Sequence, residues 1–257
     1  MNRCVAPVPR PPAVLFDVDG TLVDSNYLHV HAWYLAFSEA GLVVETWRLH
    51  RSIGMDGTKL VRTLSRDAPD DVQHRLKELH DRHYRETAYL LAPLPGAQRL
   101  LREVAALGLQ VVLATSAPEA ELAILREVLD SEDVISEVTS SQDVDTAKPE
   151  PDIVQVALDR AGVTADAAVF VGDAVWDAEA AGKAKVASIG LRSGGVAQNE
   201  LENAGAEAVF DNPQDLLDHL DVTRIAALAL SQRHERTAVE DTSSRSTIAE
   251  SEQPNSQ

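Results

Sequence analysis

The sequence predicts an α/β protein: a parallel sheet that carries a helical insertion. Three observations predict it. First, short apolar runs such as "AVLFDVD", "LQVVLATS", "AAVFVGD" and "KVASIGL" alternate with amphipathic stretches such as "GAQRLLREVAALG", "PEAELAILREVLD" and "PDIVQVALDRAG". Second, the runs are continuously apolar, as strands are when helices cover both faces of their sheet. Third, the stretch 26–92 has no convincing strand and is too long for an ordinary crossover. The expectation is a Rossmann-like parallel-sheet core over 12–25 and 93–222, with an α-helical cap domain inserted over 26–92.

The elements follow in order. Residues 1–11 hold three prolines and no periodicity, and read as a disordered lead. "AVLFDVD" is the first strand. In the insertion, "NYLHVHAWYLAFSEAG" and "DDVQHRLKELHDRHYRETAYLL" have helical spacing of apolar residues, with Gly41 and Pro93 as stops. "RSIGMDGTKL" between them reads as the cap loop that faces the core. The helix "GAQRLLREVAALG" then precedes the strand "LQVVLATS". Two more strands, "AAVFVGD" and "KVASIGL", come after the helix "PDIVQVALDRAG", and "AEAVF" is a short edge strand. "VTRIAALALSQ" adds a last helix, and 231–257, rich in Ser, Thr, Glu and Gln, reads as a disordered tail.

Composition narrows the function. The formal charge of −18 over 257 residues repels nucleic-acid phosphates and anionic lipid, so neither is an expected partner. It also repels an anionic substrate, so any anion site must carry local cations. No apolar run reaches the length of a membrane span. The beginning lacks the apolar segment of a signal peptide, and the single Cys4 has no internal partner; both fit a reducing, cytoplasmic setting.

In an open parallel sheet, ligands bind at the carboxyl ends of the strands. Asp17, Asp19, Gly20 and Thr21 follow the first strand, Thr115 and Ser116 end the second, and Asp173 and Asp177 follow "FVG". Lys148 stands in "AKPEPD" before a helix. Clustered carboxylates persist only with compensating cations, and oxygen-only ligands favour a hard ion such as Mg²⁺. A metal, a lysine and hydroxyl donors together describe a phosphoryl site. Asp17 is then the nucleophile that forms an aspartyl-phosphate. Asp19, two residues on along an extended chain, faces the same side and moves protons.

These residues stand in four motifs. "DVDGT", "LATS", "KPEPD" and "GDAVWDAEAAG" occur in the order seen in the haloacid dehalogenase superfamily, and the chain resembles its helical-cap phosphatases. The resemblance implies Asp17 as nucleophile, Asp19 as acid/base and Thr115 as phosphate ligand. Lys148 takes the third motif's role, and Asp173 and Asp177 sit on or beside Mg²⁺, with Asp17 and Asp19 completing the metal set. Ser116 and Gly20 fall beside the phosphate. The implied activity is hydrolysis of a small phosphorylated metabolite, of phosphoglycolate or sugar phosphate type, by a monomer or homodimer.

Competing readings are weaker. A calcium-binding EF-hand loop beginning at Asp17 would need Gly and Glu where Leu22 and Leu28 stand. A β-phosphoglucomutase-like phosphomutase is the alternative, since His29 follows the first motif suitably; Asp177 and the lack of a cap arginine clamp argue against it. A phosphonatase or dehalogenase would lack Asp19, and a non-catalytic binding protein would have lost a motif acid. In the cap, His29 is placed to reach over the site, and Lys59 or Arg51 to hold a distal anionic group. His31 and Trp33 are expected to pack within the cap. Trp176 is expected to pack in the core, with pocket lining as the other possibility.

Overall fold

The computed structural model describes residues 10–143 and 148–234. After β1 (Ala13–Phe16) the chain leaves for four helices: α1 (Asn26–Glu39), α2 (Thr46–Ser52), α3 (Gly57–Leu64) and α4 (Asp70–Thr87). It returns through α5 (Ala97–Ala106) to β2 (Gln110–Ala114). Then α6 (Glu119–Leu129) leads to β3 (Ile135–Thr139), α7 (Asp152–Ala161) to β4 (Ala168–Gly172), and α8 (Val175–Lys183) to β5 (Ala187–Leu191). A ninth helix, α9 (Gln198–Ala204), precedes β6 (Ala208–Phe210), and α10 (Pro213–Asp218) and α11 (224–234) end the described chain.

The strands form one parallel sheet in the order β3-β2-β1-β4-β5-β6. Chain order reverses at β1, which lies between β2 and β4. A crevice opens there at the carboxyl ends of the strands, and Asp17 follows directly. Each strand feeds two cores, because side chains alternate across the sheet. Val14, Phe16, Val111, Leu113 and Val171 pack against α5, α6 and α11 through Leu101, Leu122, Leu125 and Leu228. Ala13, Leu15, Val112 and Phe170 pack against α7 and α8 through Val154, Leu158 and Ala181. The insertion has a third core of its own, in which Trp33, Phe37, Leu60, Leu76 and Leu79 meet.

The two strands of chain that enter and leave the cap are tied together. Val23 bridges Pro93 in antiparallel fashion, Asp24 N–H donates to Ala92 O at 2.9 Å, and Leu94 N–H donates to Leu22 O at 2.8 Å. This crossing fixes where the cap starts relative to β1.

Some elements differ from the sequence expectation. β3 was not anticipated: "ISEVT" is short and only its last residue is buried, so it lacks the apolar run of the central strands. The stretch "RSIGMDGTKL" is less a loop than the end of α2, a tight turn and the start of α3, which Asp56 caps by accepting from Thr58 and Lys59 N–H. His31 lies exposed on the outer face of α1 instead of packing within the cap, whereas Trp33 is buried there. The last helix continues through residue 234, four residues into the stretch expected to be tail. Gln232 holds it there by donating to Gly108 O at 3.2 Å. The rest of the lead and tail, 1–9 and 235–257, lies outside the described residues. Among the described residues, no helix is long and apolar enough to cross a membrane.

Because α11 buries Ile225, Leu228 and Ala229 against the core, Ile225→Ala is expected to destabilise the protein by about 2–5 kcal/mol. A thermal melt reads this as a fall of several degrees.

Candidate active site

Lys148 is the centre of the site. Its side chain is 1% exposed, and its Nζ lies 2.6 Å from Asp17 Oδ1 and 2.8 Å from Asp177 Oδ1. The Phe170 ring lies below it, 5.2 Å from centroid to Nζ. Burial would lower the lysine pKa, but the charges of Asp17 and Asp177 outweigh burial and raise it. The ammonium is therefore a fixed cation.

Three carboxylates surround it. Asp17 follows β1, Asp173 follows β4, and Asp177 lies in the first turn of α8; all are buried, and their oxygens lie within 4.8 Å of one another. Asp177 also accepts from Ala174 N–H at 3.0 Å, so it fastens the start of α8 while facing the site. Asp173 accepts from Thr21 Oγ1 at 3.0 Å and from Asn26 Nδ2 at 2.7 Å. Burial pushes Asp17 up to about 7, with Lys148 opposing and Asp177 adding to the rise. Burial, then the charges of Asp177 and Asp17, raise Asp173 well above the carboxylate range. One lysine does not balance three buried acids. The oxygen-only donor set fits a divalent cation, which would favour the ionised form of each.

Close backbone approach makes room for this cluster. Gly20 has φ of +71°, and a Cβ there would meet Asn26 and Asp173. A Cβ on Gly194 would lie 1.7 Å from Asp173 Oδ2.

The second acid of the first motif has a different environment. β1 ends at Phe16, and the chain turns before Gly20, so Asp17 and Asp19 do not share an extended ladder. Asp19 Oδ1 accepts from Ser25 Oγ at 2.5 Å and meets His29 Nε2 at 3.2 Å. Its carboxylate groups with His29 and Glu121, apart from the other three acids. Burial would raise its pKa, but the hydrogen bonds from His29 and Ser25 lower it overall. His29 also lies 3.4 Å from Glu121 Oε1, and its Nδ1 is 3.1 Å from His80 Nε2. Burial would lower His29, but Glu121 and Asp19 push it up to about 9. It is an imidazolium at neutral pH.

The remaining expected residues are placed as follows. Thr115 is buried at the end of β2, where its Oγ1 accepts from Ala117 N–H at 3.0 Å and keeps its own proton to donate. Ser116 is half-buried beside it. Lys59 is exposed on α3, and Arg51 pairs with Glu200 of α9 at 2.6 Å. Neither is brought to the acid cluster. Trp176 is half-buried, and the cap turn at Gly54 packs on it and on Ala174. Thr21 was read as part of the first motif; Asn26, Glu121 and His80 were missed. Asn26 carried a usable signal, as a polar residue five positions past the first motif at a helix start. Glu121 and His80 had none, because only the packing of α4 on α1 brings His80 to His29 and only the seating of α1 beside α6 brings Glu121 there.

The comparisons with known proteins agree with this geometry. Residues 14–191 match the family described as haloacid dehalogenase-like hydrolase. The chain belongs to the haloacid dehalogenase-like hydrolases. Over 220 residues it is 32% identical to the phosphoglycolate phosphatase of Rhodospirillum rubrum, covering 82% of this chain and 91% of that one. Its fold matches the crystal structure of a hydrolase from Pseudomonas syringae with a TM-score of 0.78 and 37% identity, over 82% of this chain and 98% of the other. A β-phosphoglucomutase from Clostridium difficile shares the fold, with a TM-score of 0.73 and 19% identity, over 86% and 98% of the two chains.

If Asp17, Asp173 and Asp177 hold a divalent cation, adding one should raise the melting temperature, since only the folded state has the site. The shift should grow as pH rises through about 7, where Asp17 gives up its proton. Asp173→Asn should abolish it, as a thermal-shift titration with magnesium chloride would reveal.

Proposed function

We propose that this hydrolase is a Mg²⁺-dependent phosphatase that cleaves a small phosphorylated metabolite through an aspartyl-phosphate on Asp17. The observation that carries the reading is the 2.6 Å contact between Lys148 Nζ and Asp17 Oδ1 inside a cluster of three buried carboxylates. A carboxylate in that position is held at a fixed angle and cannot swing to solvent. The one full cation beside it offsets charge on a phosphoryl group.

Asp17, Asp173 and Asp177 would hold the Mg²⁺, which when bound screens the acids and the phosphate oxygens from one another. The Asp17 carboxylate attacks phosphorus, an Asp17 oxygen–phosphorus bond forms, and the bond from phosphorus to the ester oxygen breaks. Asp19 gives a proton to the departing oxygen. In the second step Asp19 takes a proton from water, which attacks the same phosphorus and regenerates Asp17. The Thr115 hydroxyl has a proton to donate to a phosphate oxygen, and Ser116 and Gly20 border the same space. The R. rubrum relative's name makes phosphoglycolate the first substrate to test. Neither Arg51, paired with Glu200, nor the exposed Lys59 is placed here to hold a distal carboxylate, so recognition of that group rests on other donors.

Asp17→Asn should form no phosphoenzyme in acid-quenched incubations with labelled substrate, while Asp19→Asn keeps the nucleophile and loses about 10²- to 10⁴-fold in turnover of an alkyl phosphate. Full activity in excess chelator, or an equal phosphoenzyme yield from Asp17→Asn, would overturn the mechanism. With β-glucose 1-phosphate, inorganic phosphate should outpace glucose 6-phosphate, because Asp177 accompanies Asp173 as in the phosphatases that the motif resembles.

A further inference from the structure

Three side chains that the reaction above does not use converge on His29. Glu121, in the first turn of α6 on the core, reaches its Nε2 at 3.4 Å. His80, on α4 of the cap, reaches its Nδ1 at 3.1 Å. Asp81 reaches the other nitrogen of His80, Nδ1, at 3.3 Å. The rings are stacked: His29 on Tyr84 at 4.1 Å between centroids, and His80 on Trp33 at 4.0 Å.

The proton positions follow from the partners. Asp81 accepts only, so His80 Nδ1 carries the proton and His80 Nε2 presents a lone pair. His29 Nδ1 faces that lone pair and therefore donates to it. His29 Nε2 faces two carboxylates and donates there as well. Both N–H groups of His29 are thus committed, and the ring cannot flip without placing one carbon against the His80 lone pair and another against the carboxylates. The Nε2–H then points at one oxygen of Asp19, whose other fixed contact is Ser25 Oγ on the same oxygen, Oδ1. With Oδ1 held by two donors, Oδ2 is the oxygen left to exchange protons with the reacting groups.

We propose that Glu121 and His80 are positioning residues: through His29 they hold Asp19 in the orientation from which it exchanges protons. The inference rests on the role assigned to Asp19 above. Because His29 and His80 belong to the cap and Glu121 and Asp19 to the core, the chain is complete only where α1 meets the start of α6. Substrate enclosure and acid/base geometry are therefore linked through one imidazole.

The test uses leaving-group chemistry, which a merely structural role would not sense. p-Nitrophenolate departs without a proton, whereas an alkoxide needs one from Asp19. The first-step rate is measured by rapid quench under single-turnover conditions with Mg²⁺, using p-nitrophenyl phosphate and 2-phosphoglycolate. The variants are Glu121→Ala, Glu121→Gln and His80→Phe, which keeps the ring stack and removes the bond to His29. Asp19→Asn is the control. Glu121→Ala and His80→Phe should slow the alkyl phosphate about 10-fold or more, within the 10²–10⁴ ceiling of losing the acid itself. They should slow p-nitrophenyl phosphate less than about threefold, with KM little changed. Glu121→Gln, which keeps an oxygen acceptor, should recover part of the loss. Equal slowing of both substrates, or none, in variants that melt like the parent would overturn the inference. If Asp19→Asn itself fails to separate the two substrates, the acid/base reading of Asp19 falls instead.

Discussion

The structure is organised around one buried ammonium. Lys148 enters the interior because Asp17 and Asp177 lie 2.6 and 2.8 Å from it. Taking these charges out of water costs several kcal/mol per ion unless they pair closely. That requirement fixes several features at once. β1 and β4 must be neighbours so that Asp17 and Asp173 meet. The start of α8 must point inward, and Asp177 fastens it there through Ala174 N–H. Gly20 and Gly194 must lack side chains for Asp173 to fit. The compensation is still incomplete, with three acids against one lysine. The site is held in a state that gains from a further cation, on a molecule whose formal charge of −18 would otherwise repel a phosphate.

Two acids separated by one residue, Asp17 and Asp19, have been driven in opposite directions. Burial leaves Asp17 pushed up to about 7, while His29 and Ser25 bring Asp19 below the carboxylate range. The split separates their partners more than their chemistry: one acid faces a lysine among further carboxylates and the other a proton donor. Both shifts belong to the unliganded protein, and on the proposed mechanism the reactants would reverse them. A cation beside Asp17 favours its ionised form, as a nucleophile requires. An arriving phosphate beside Asp19 disfavours its ionised form, as a proton donor requires. Each acid reaches its working state only when its own ligand is present.

The legible part of the sequence was what a local pattern can carry. The continuous apolar runs named the central strands, and the acids standing at their ends named Asp17, Asp173 and Lys148's partners. β3 escaped because an edge strand with Ser136 and Glu137 in it lacks that pattern. The turn between α2 and α3 was legible as a position but not as structure, so Lys59 and Arg51 were expected at the site when helix geometry directs them elsewhere. His29 was visible as a residue near the first motif, but its role was not. Glu121 and His80 are 41 residues apart in sequence, and each reaches His29 only through tertiary packing.

The contacts between cap and core are unequal in strength, and the inequality has a direction. Near the crossing at Val23 and Pro93, α1 begins with Asn26 bonded to Asp173, and one turn later His29 is buried against Asp19 and Glu121. These contacts are buried, and breaking any of them would leave a buried charge or donor unmet. At the far side, α2 is held by His50 donating to Gly194 O at 2.9 Å and by Arg51 with Glu200, whose side chains are 44% and 35% exposed. An exposed ion pair contributes about 0–1 kcal/mol and is screened by salt. The cap is therefore fixed where it orders the acid/base residue and weakly held where α2 meets α9. On the proposed function, a phosphorylated metabolite entering beside α2 would break the exposed Arg51–Glu200 pair and leave the buried contacts of His29 with Asp19 and Glu121 in place.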